Sequence, residues 1–140
     1  MVIAVDTQTY AQSLEWTAEV YMVAGKLMGD AVLMQGVADK GGFWPAFNST
    51  NKHSIFLFRS IEGAGFTPGQ DVAISLDIAA TDFDKSGRYR LSTDDREVVF
   101  DGLSEMLLGW LKRYPIVAIE DPLGEDGVDA MVKFTEAAGS

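Results

Sequence analysis

The sequence predicts an α/β fold in which short strands alternate with longer helices. Two observations carry this expectation. Apolar runs at 2–5, 31–38, 72–76 and 116–119 are separated by longer stretches whose apolar residues recur at helical spacing. Clusters of Gly, Pro and Asp fall between these runs rather than inside them. Together they argue for βα units and a largely parallel sheet. By periodicity alone, an open α/β sheet and half of a barrel give the same pattern.

Taken in order, the run 2–5 is the first strand candidate. Thr7 or Thr9 is placed to cap the helix that follows, read over 11–28 from Leu14, Thr17, Ala18, Tyr21, Met22 and Gly25. Gly29-Asp30 closes that helix, and 31–38 reads as a strand. Asp39-Lys40-Gly41-Gly42 has loop composition, and Phe43-Trp44-Pro45-Ala46-Phe47 reads as an aromatic loop packed on another element. Asn48, Ser49 or Thr50 is the candidate cap of a second helix reaching 62, with Gly63 or Gly65 at its end. Thr67-Pro68-Gly69-Gln70 is a turn, and the strand 72–76 ends at Asp77. Asp84-Lys85-Ser86-Gly87, between Phe83 and Tyr89, has the chemistry of a hairpin turn. A third helix over 94–113 carries Val98, Val99, Leu103, Met106, Leu107, Trp110 and Leu111 on a face suited to a sheet. Pro115 introduces the strand 116–119, which ends at Glu120, and 128–138 opens a further helix. The sequence shows no internal repeat, low-complexity segment or interdomain linker.

Composition bounds the function. The chain has 140 residues, 47% hydrophobic and 23% charged, with a formal net charge of −10. That is a globular composition with enough length for a moderate core. Lys and Arg are scattered, so the basic footprint that nucleic acid or an anionic membrane requires is missing. There is no cysteine, which removes disulfides and thiolate metal sites and fits a cytoplasmic location. The N-terminus lacks the basic start and apolar run of a signal peptide, and no uncharged stretch reaches the roughly 20 residues of a membrane span.

The chemically informative feature is a pair of strands that end in acid: Leu76-Asp77 and Ile119-Glu120-Asp121-Pro122. In α/β folds the C-terminal ends of parallel strands face the site. If these strands are neighbours, Asp77 and Glu120 meet in one pocket. Mg²⁺ is a hard cation that takes one or two carboxylates plus water and substrate oxygens, and a metal there would stabilise negative charge on a carboxylate substrate. Taken singly, an Asp after a strand is commonly a turn former or helix cap. His53 reads as a surface or capping residue, Gly41-Gly42 as a turn rather than an anion cradle, and Glu19 as a solvated helix position. Trp16, Trp44 and Trp110 read as core or interface aromatics.

The motifs together resemble enolase. They are Ala18-Glu19-Val20-Tyr21, Asp39-Lys40-Gly41-Gly42-Phe43-Trp44-Pro45, Glu62-Gly63-Ala64-Gly65-Phe66-Thr67-Pro68-Gly69, Leu76-Asp77-Ile78-Ala79-Ala80 and Tyr114-Pro115-Ile116-Val117-Ala118-Ile119-Glu120-Asp121-Pro122. Their order and spacing hold from Val2 to the C-terminus. The resemblance implies that 1–140 is a partial C-terminal barrel domain, a TIM barrel represented by about four of eight strands with packed helices and a small hairpin. The family's first barrel units depart from simple βα alternation. Enolases are lyases that reversibly dehydrate 2-phosphoglycerate to phosphoenolpyruvate in glycolysis, with Mg²⁺. By the match, Asp77 and Glu120 are two of three carboxylate ligands of the tightly bound Mg²⁺, and Glu19 is an active-site glutamate supporting the acid and water network.

One departure bears on chemistry. The family loop reads Asp-Glu-Gly-Gly, and its Glu helps the hydroxyl leave as general acid. Here that position is Lys40. A lysine ordinarily holds its proton far above the range of a carboxylic acid and adds positive charge beside the expected metal. The resemblance further implies that a third metal carboxylate, two lysines and a smaller N-terminal domain lie outside this chain. It thus reads as a catalytically incomplete fragment that holds Mg²⁺ weakly or not at all. Its substrate, once completed, is a phosphorylated three-carbon acid. The unpaired edges of a half barrel invite self-association or a complementing chain. Two other readings stand beside this one: a non-catalytic enolase-like structural or binding protein, and another metal-dependent lyase of the superfamily.

Overall fold

The computed structural model describes residues 1–38, 40–49, 51–91 and 95–139. Its elements run β1 (Val2–Ala4), α1 (Tyr10–Asp30), β2 (Met34–Val37), β3 (Phe43–Pro45), α2 (Lys52–Gly63) and β4 (Val72–Asp77). They continue through a 3₁₀ turn (Ala80–Phe83), β5 (Arg88–Leu91), β6 (Arg96–Val99), α3 (Phe100–Arg113), β7 (Ile116–Glu120) and α4 (Val128–Ala138). The fold is mixed α/β, and the strands described do not close into a barrel: one sheet has the order β1-β4-β7, while β2–β3 and β5–β6 form two-stranded sheets. The chain divides into two compact units, Val2–Ile74 and Met1 with Ser75–Ser140. Among the described residues no helix is long and apolar enough to cross a membrane.

The expectation of a largely parallel sheet is corrected. β1 runs antiparallel to β4, pairing Val2 with Ile74, Ile3 with Ala73 and Ala4 with Val72, and both small sheets are antiparallel. Apolar alternation reports which face is buried and carries no information on direction, which the connections decide.

In the unit Val2–Ile74, α1 starts at Thr9. That residue is extended, and its hydroxyl accepts from the Gln12 N–H at 3.1 Å, while the Gln12 side chain accepts from the Gln8 N–H at 2.8 Å. This T-x-x-Q pairing is close to a capping box. The buried face of α1 is Val20, Ala24 and Met28, whereas Leu14, Tyr21 and Met22 are exposed. The buried face is thus rotated from the one hydropathy predicts, since Leu14 and Met22 are apolar yet exposed. Phe43–Pro45, expected as a loop, is a strand paired with β2, with an irregularity between Met34 and Gly36. The second helix begins after Asn51, which makes no side-chain cap bond, rather than at Asn48 or Ser49. Thr50 and Asp39 lie outside the described residues. The helix ends as expected: Gly65 takes φ +87° just past Gly63, which a glycine does at no steric cost. The turn 67–70 closes with Gln70 N–H donating to Thr67 O at 3.1 Å.

In the unit containing Ser75–Ser140, the hairpin turn appears where expected. Ser86 and Gly87 both have positive φ, Lys85 and Arg88 exchange backbone bonds at 2.8 and 3.3 Å, and Gly87 N–H donates to Asp84 Oδ1 at 2.7 Å. It leads into β5, whose Tyr89 and Leu91 are buried while Arg88 and Arg90 are exposed. The third helix is shorter than the sequence suggested. Arg96–Val99 form β6 against β5, with Tyr89 opposite Val98, so Val98 and Val99 belong to a strand. Two adjacent β-branched residues favour that state; Asp94 is outside the described residues. From Phe100, α3 buries Leu103, Leu107 and Trp110, with Asp101 in its first turn and Lys112 and Arg113 in its last, matching the helix dipole.

Candidate functional site

Asp77 is the last residue of β4 and Glu120 the last of β7, and both are exposed. The strands are neighbours, so the condition placed on the pair is met. Directly past the strand ends, Ile78 N–H donates to Glu120 O at 3.0 Å and Ala80 N–H to Asp121 O at 3.1 Å. Both residue numbers rise together across these bonds, so the two segments advance in the same direction. The ends of β4 and β7 thus lie side by side with a carboxylate on each.

Two backbone distortions flank the pair. Ala79 has φ +47° and Asp121 has φ +44°, the left-handed region that side-chain-bearing residues avoid and that collects at functional sites. The loop after Glu120 holds its distortion by several bonds. Gly124 N–H donates to Tyr89 Oη at 2.9 Å and Glu125 N–H to Thr81 Oγ1 at 3.1 Å, and Leu123 is buried. Burial raises the pKa of the Tyr89 phenol above 10.0. The charge of Asp84 works in the same direction and the bond from Gly124 against it. The Met1 ammonium donates to Ser75 O at 2.9 Å; burial lowers its pKa, opposed by the negative charge of Asp77. Among the described residues, the ion pairs are Arg88–Glu97 and Arg90–Asp95, both exposed, and neither uses Asp77 or Glu120.

Glu19 and Lys40 belong to the other unit, and both are exposed. Glu19 lies on α1. The loop of Lys40 is tied to that helix. Tyr21 Oη donates to Gly41 O at 2.8 Å, the Tyr21 and Phe43 rings stack with centroids 4.3 Å apart, and Gly25 gives the Phe43 ring room. The turn spends its own donors: Gly41 N–H bonds Ala38 O at 2.8 Å and Ala38 N–H bonds Gly42 O at 2.7 Å. Gly41 therefore serves a turn, and its N–H is not turned out to an anion. His53 stands against Phe47 edge to face, with ring centroids 4.6 Å apart. Trp16 packs on Phe66 and Trp110 is buried, while Trp44 is exposed.

Sequence reasoning did not reach Tyr89, Thr81, Ala79 and Asp121. The buried-exposed alternation of Arg88-Tyr89-Arg90-Leu91 was the available signal for Tyr89; nothing in the sequence marks the two positive-φ residues.

The donor set at the strand ends is two exposed carboxylates that take part in neither ion pair found among the described residues, which suits a hard divalent cation. Among the described residues no group of three or more His, Cys, Asp or Glu is arranged to hold a metal. Compared with known families, residues 1–140 match the model of the enolase C-terminal TIM barrel domain. Since that match covers the chain from end to end, this protein belongs to the enolase C-terminal barrel family.

Proposed function

We propose that this chain supplies part of an enolase-type site, with Asp77 and Glu120 as ligands for Mg²⁺ and Glu19 in the acid and water network. The observation that carries the reading is the bond from Ile78 N–H to Glu120 O, which sets two exposed carboxylate residues at adjacent strand ends. When bound, the ion would neutralise charge building on a carboxylate substrate. The residues of this chain hold the ligands in register. The reaction this serves is the reversible dehydration of 2-phosphoglycerate to phosphoenolpyruvate, a lyase step of glycolysis. We place that reaction in the cytoplasm, a location that a sequence without cysteine fits.

Lys40 supports a second, non-catalytic reading. At the position where the resemblance expects a carboxylic general acid, this chain carries a side chain of the opposite charge type. Two carboxylates alone also bind Mg²⁺ weakly. The purified 140-residue chain should therefore form no phosphoenolpyruvate above background in a coupled absorbance assay with Mg²⁺. Turnover that disappears in Asp77→Ala would overturn the non-catalytic reading and make Lys40 a tolerated substitution. Mg²⁺ binding unchanged by Asp77→Ala and Glu120→Gln would remove the metal assignment.

A further inference from the structure

We infer that Tyr89 is a positioning residue that fixes the strand ends bearing Asp77 and Glu120, acting through the 121–127 loop. The inference rests on the reading above only for what the carboxylate pair is used for. Tyr89 is fully buried, and its ring stands edge to face against Phe83 and Phe100, with centroids 5.9 and 5.5 Å away. This packing fixes where its oxygen lies. That oxygen accepts the Gly124 N–H at 2.9 Å in a buried bond.

Position 124 is fitted to the phenol. A Cβ there would overlap the Asp84 carboxylate and stand 3.3 Å from Tyr89 Oη. The loop after Glu120 is then bound at three points to the segment after Asp77: Asp121 O to Ala80, Gly124 to Tyr89 and Glu125 to Thr81. Ala79 and Asp121, both at positive φ, sit inside this ring of bonds. A residue forced into that region stays there only while its surroundings hold it. Without the phenol oxygen the Gly124 N–H loses its hydrogen-bond partner, and the central anchor of the loop is gone. Asp121 can then relax, and the Ile78–Glu120 and Ala80–Asp121 bonds open. The carboxylates themselves are untouched, so any effect on a cation arrives through their placement, as it does for outer partners of metal ligands.

The test uses the 140-residue chain with Tyr89→Phe, which keeps the ring, and Thr81→Val, which removes only the Glu125 anchor. Leu107→Ala is the stability control: Leu107 is fully buried in α3 and makes none of these bonds. Amide hydrogen exchange is followed at Ile78 and Ala80, and Mn²⁺ alone is titrated as a paramagnetic probe at Asp77 and Glu120. In Tyr89→Phe, protection of the two amides should fall at least tenfold more than the loss of global stability accounts for. The apparent Mn²⁺ affinity should fall by about 10–100-fold. Leu107→Ala should lower global stability without either change. Wild-type protection and Mn²⁺ broadening in Tyr89→Phe would overturn the inference. If wild type shows no Mn²⁺ broadening while Tyr89→Phe still opens the amides, the metal reading fails and the positioning role stands. Should Tyr89→Phe not fold, Thr81→Val decides: selective opening of Ala80 supports the clamp, and unchanged protection rejects it.

Discussion

Gly25 and Gly29 lie about one turn apart in α1 and offer the same substitution two different surroundings. A Cβ at Gly29 meets nothing within 4 Å, so Gly29→Ala gains helix propensity alone, about 0.5–1 kcal/mol. A Cβ at Gly25 would stand 2.7 Å from Phe43 Cζ and 3.3 and 3.4 Å from its two Cε atoms. Non-bonded carbons rest at about 3.5–4.0 Å, so the ring has to move by roughly 1 Å. It is not free to do so, because it stacks on Tyr21, whose hydroxyl is bonded to Gly41 O. Overpacking of this kind costs about 1–3 kcal/mol. Setting about 1 kcal/mol of propensity against it leaves Gly25→Ala neutral to destabilising by about 2 kcal/mol. Urea denaturation followed by far-UV circular dichroism separates the two. With a slope of about 2 kcal/mol/M, the midpoint should rise by about 0.25–0.5 M for Gly29→Ala and lie between the wild-type value and about 1 M below it for Gly25→Ala. Equal upward shifts would refute the reasoning, since they would mean that Phe43 is not pressed onto the helix and that the Lys40 loop lacks this tether.

Three further outcomes are expected. Thr9→Ala removes the hydroxyl that caps α1 and should cost about 0.5–2 kcal/mol in the same urea measurement, while Thr9→Ser should cost little. Ala79→Gly relieves a positive φ and should stabilise by about 0.5–1 kcal/mol once the added freedom of the unfolded chain is subtracted; a loss would show that the Ala79 methyl matters more than its strain. The raised pKa of Tyr89 makes stability fall in alkali: below pH 10 both states keep the proton, and above it the unfolded chain releases the proton first. The stability difference between wild type and Tyr89→Phe should therefore be constant up to about pH 10 and shrink above it, as read from urea midpoints across pH 8–11.

The sequence made the two strand ends legible because an acidic residue closing an apolar run is a local signal. Leu76-Asp77 and Ile119-Glu120 each announce themselves within a few residues, and the turn at Ser86-Gly87 does so by composition. Elements settled by distant partners were hidden. Phe43–Pro45 is a strand only because β2 lies beside it, and Pro45 and Trp44 read as loop residues until their partners Met34 and Gly36 are known. Val98 and Val99 fit a helical face as well as a strand, and pairing with Arg88 and Tyr89 decides between them. The clamp on the 121–127 loop was invisible for the same reason, since Tyr89 and Gly124 are 35 positions apart and meet through one hydrogen bond.

The strand ends and the turn of Lys40 belong to different units and are held by different means. The holding parts of the strand ends are linked: the ends of β4 and β7 are joined by two backbone bonds, and the loop beyond them donates two more to Tyr89 and Thr81. All of them act on one short segment, so the loss of the Tyr89 anchor is felt at the strand ends. Lys40 has no such support. It is exposed on a turn whose backbone is tied to α1 through Gly41, so the turn keeps its place whatever side chain occupies the neighbouring position. A change of side-chain charge there would leave the turn intact. The turn that carries Lys40 is for that reason independent of its side chain, and under the proposed reading the carboxylate pair bears on where a cation would sit rather than on which reaction would follow.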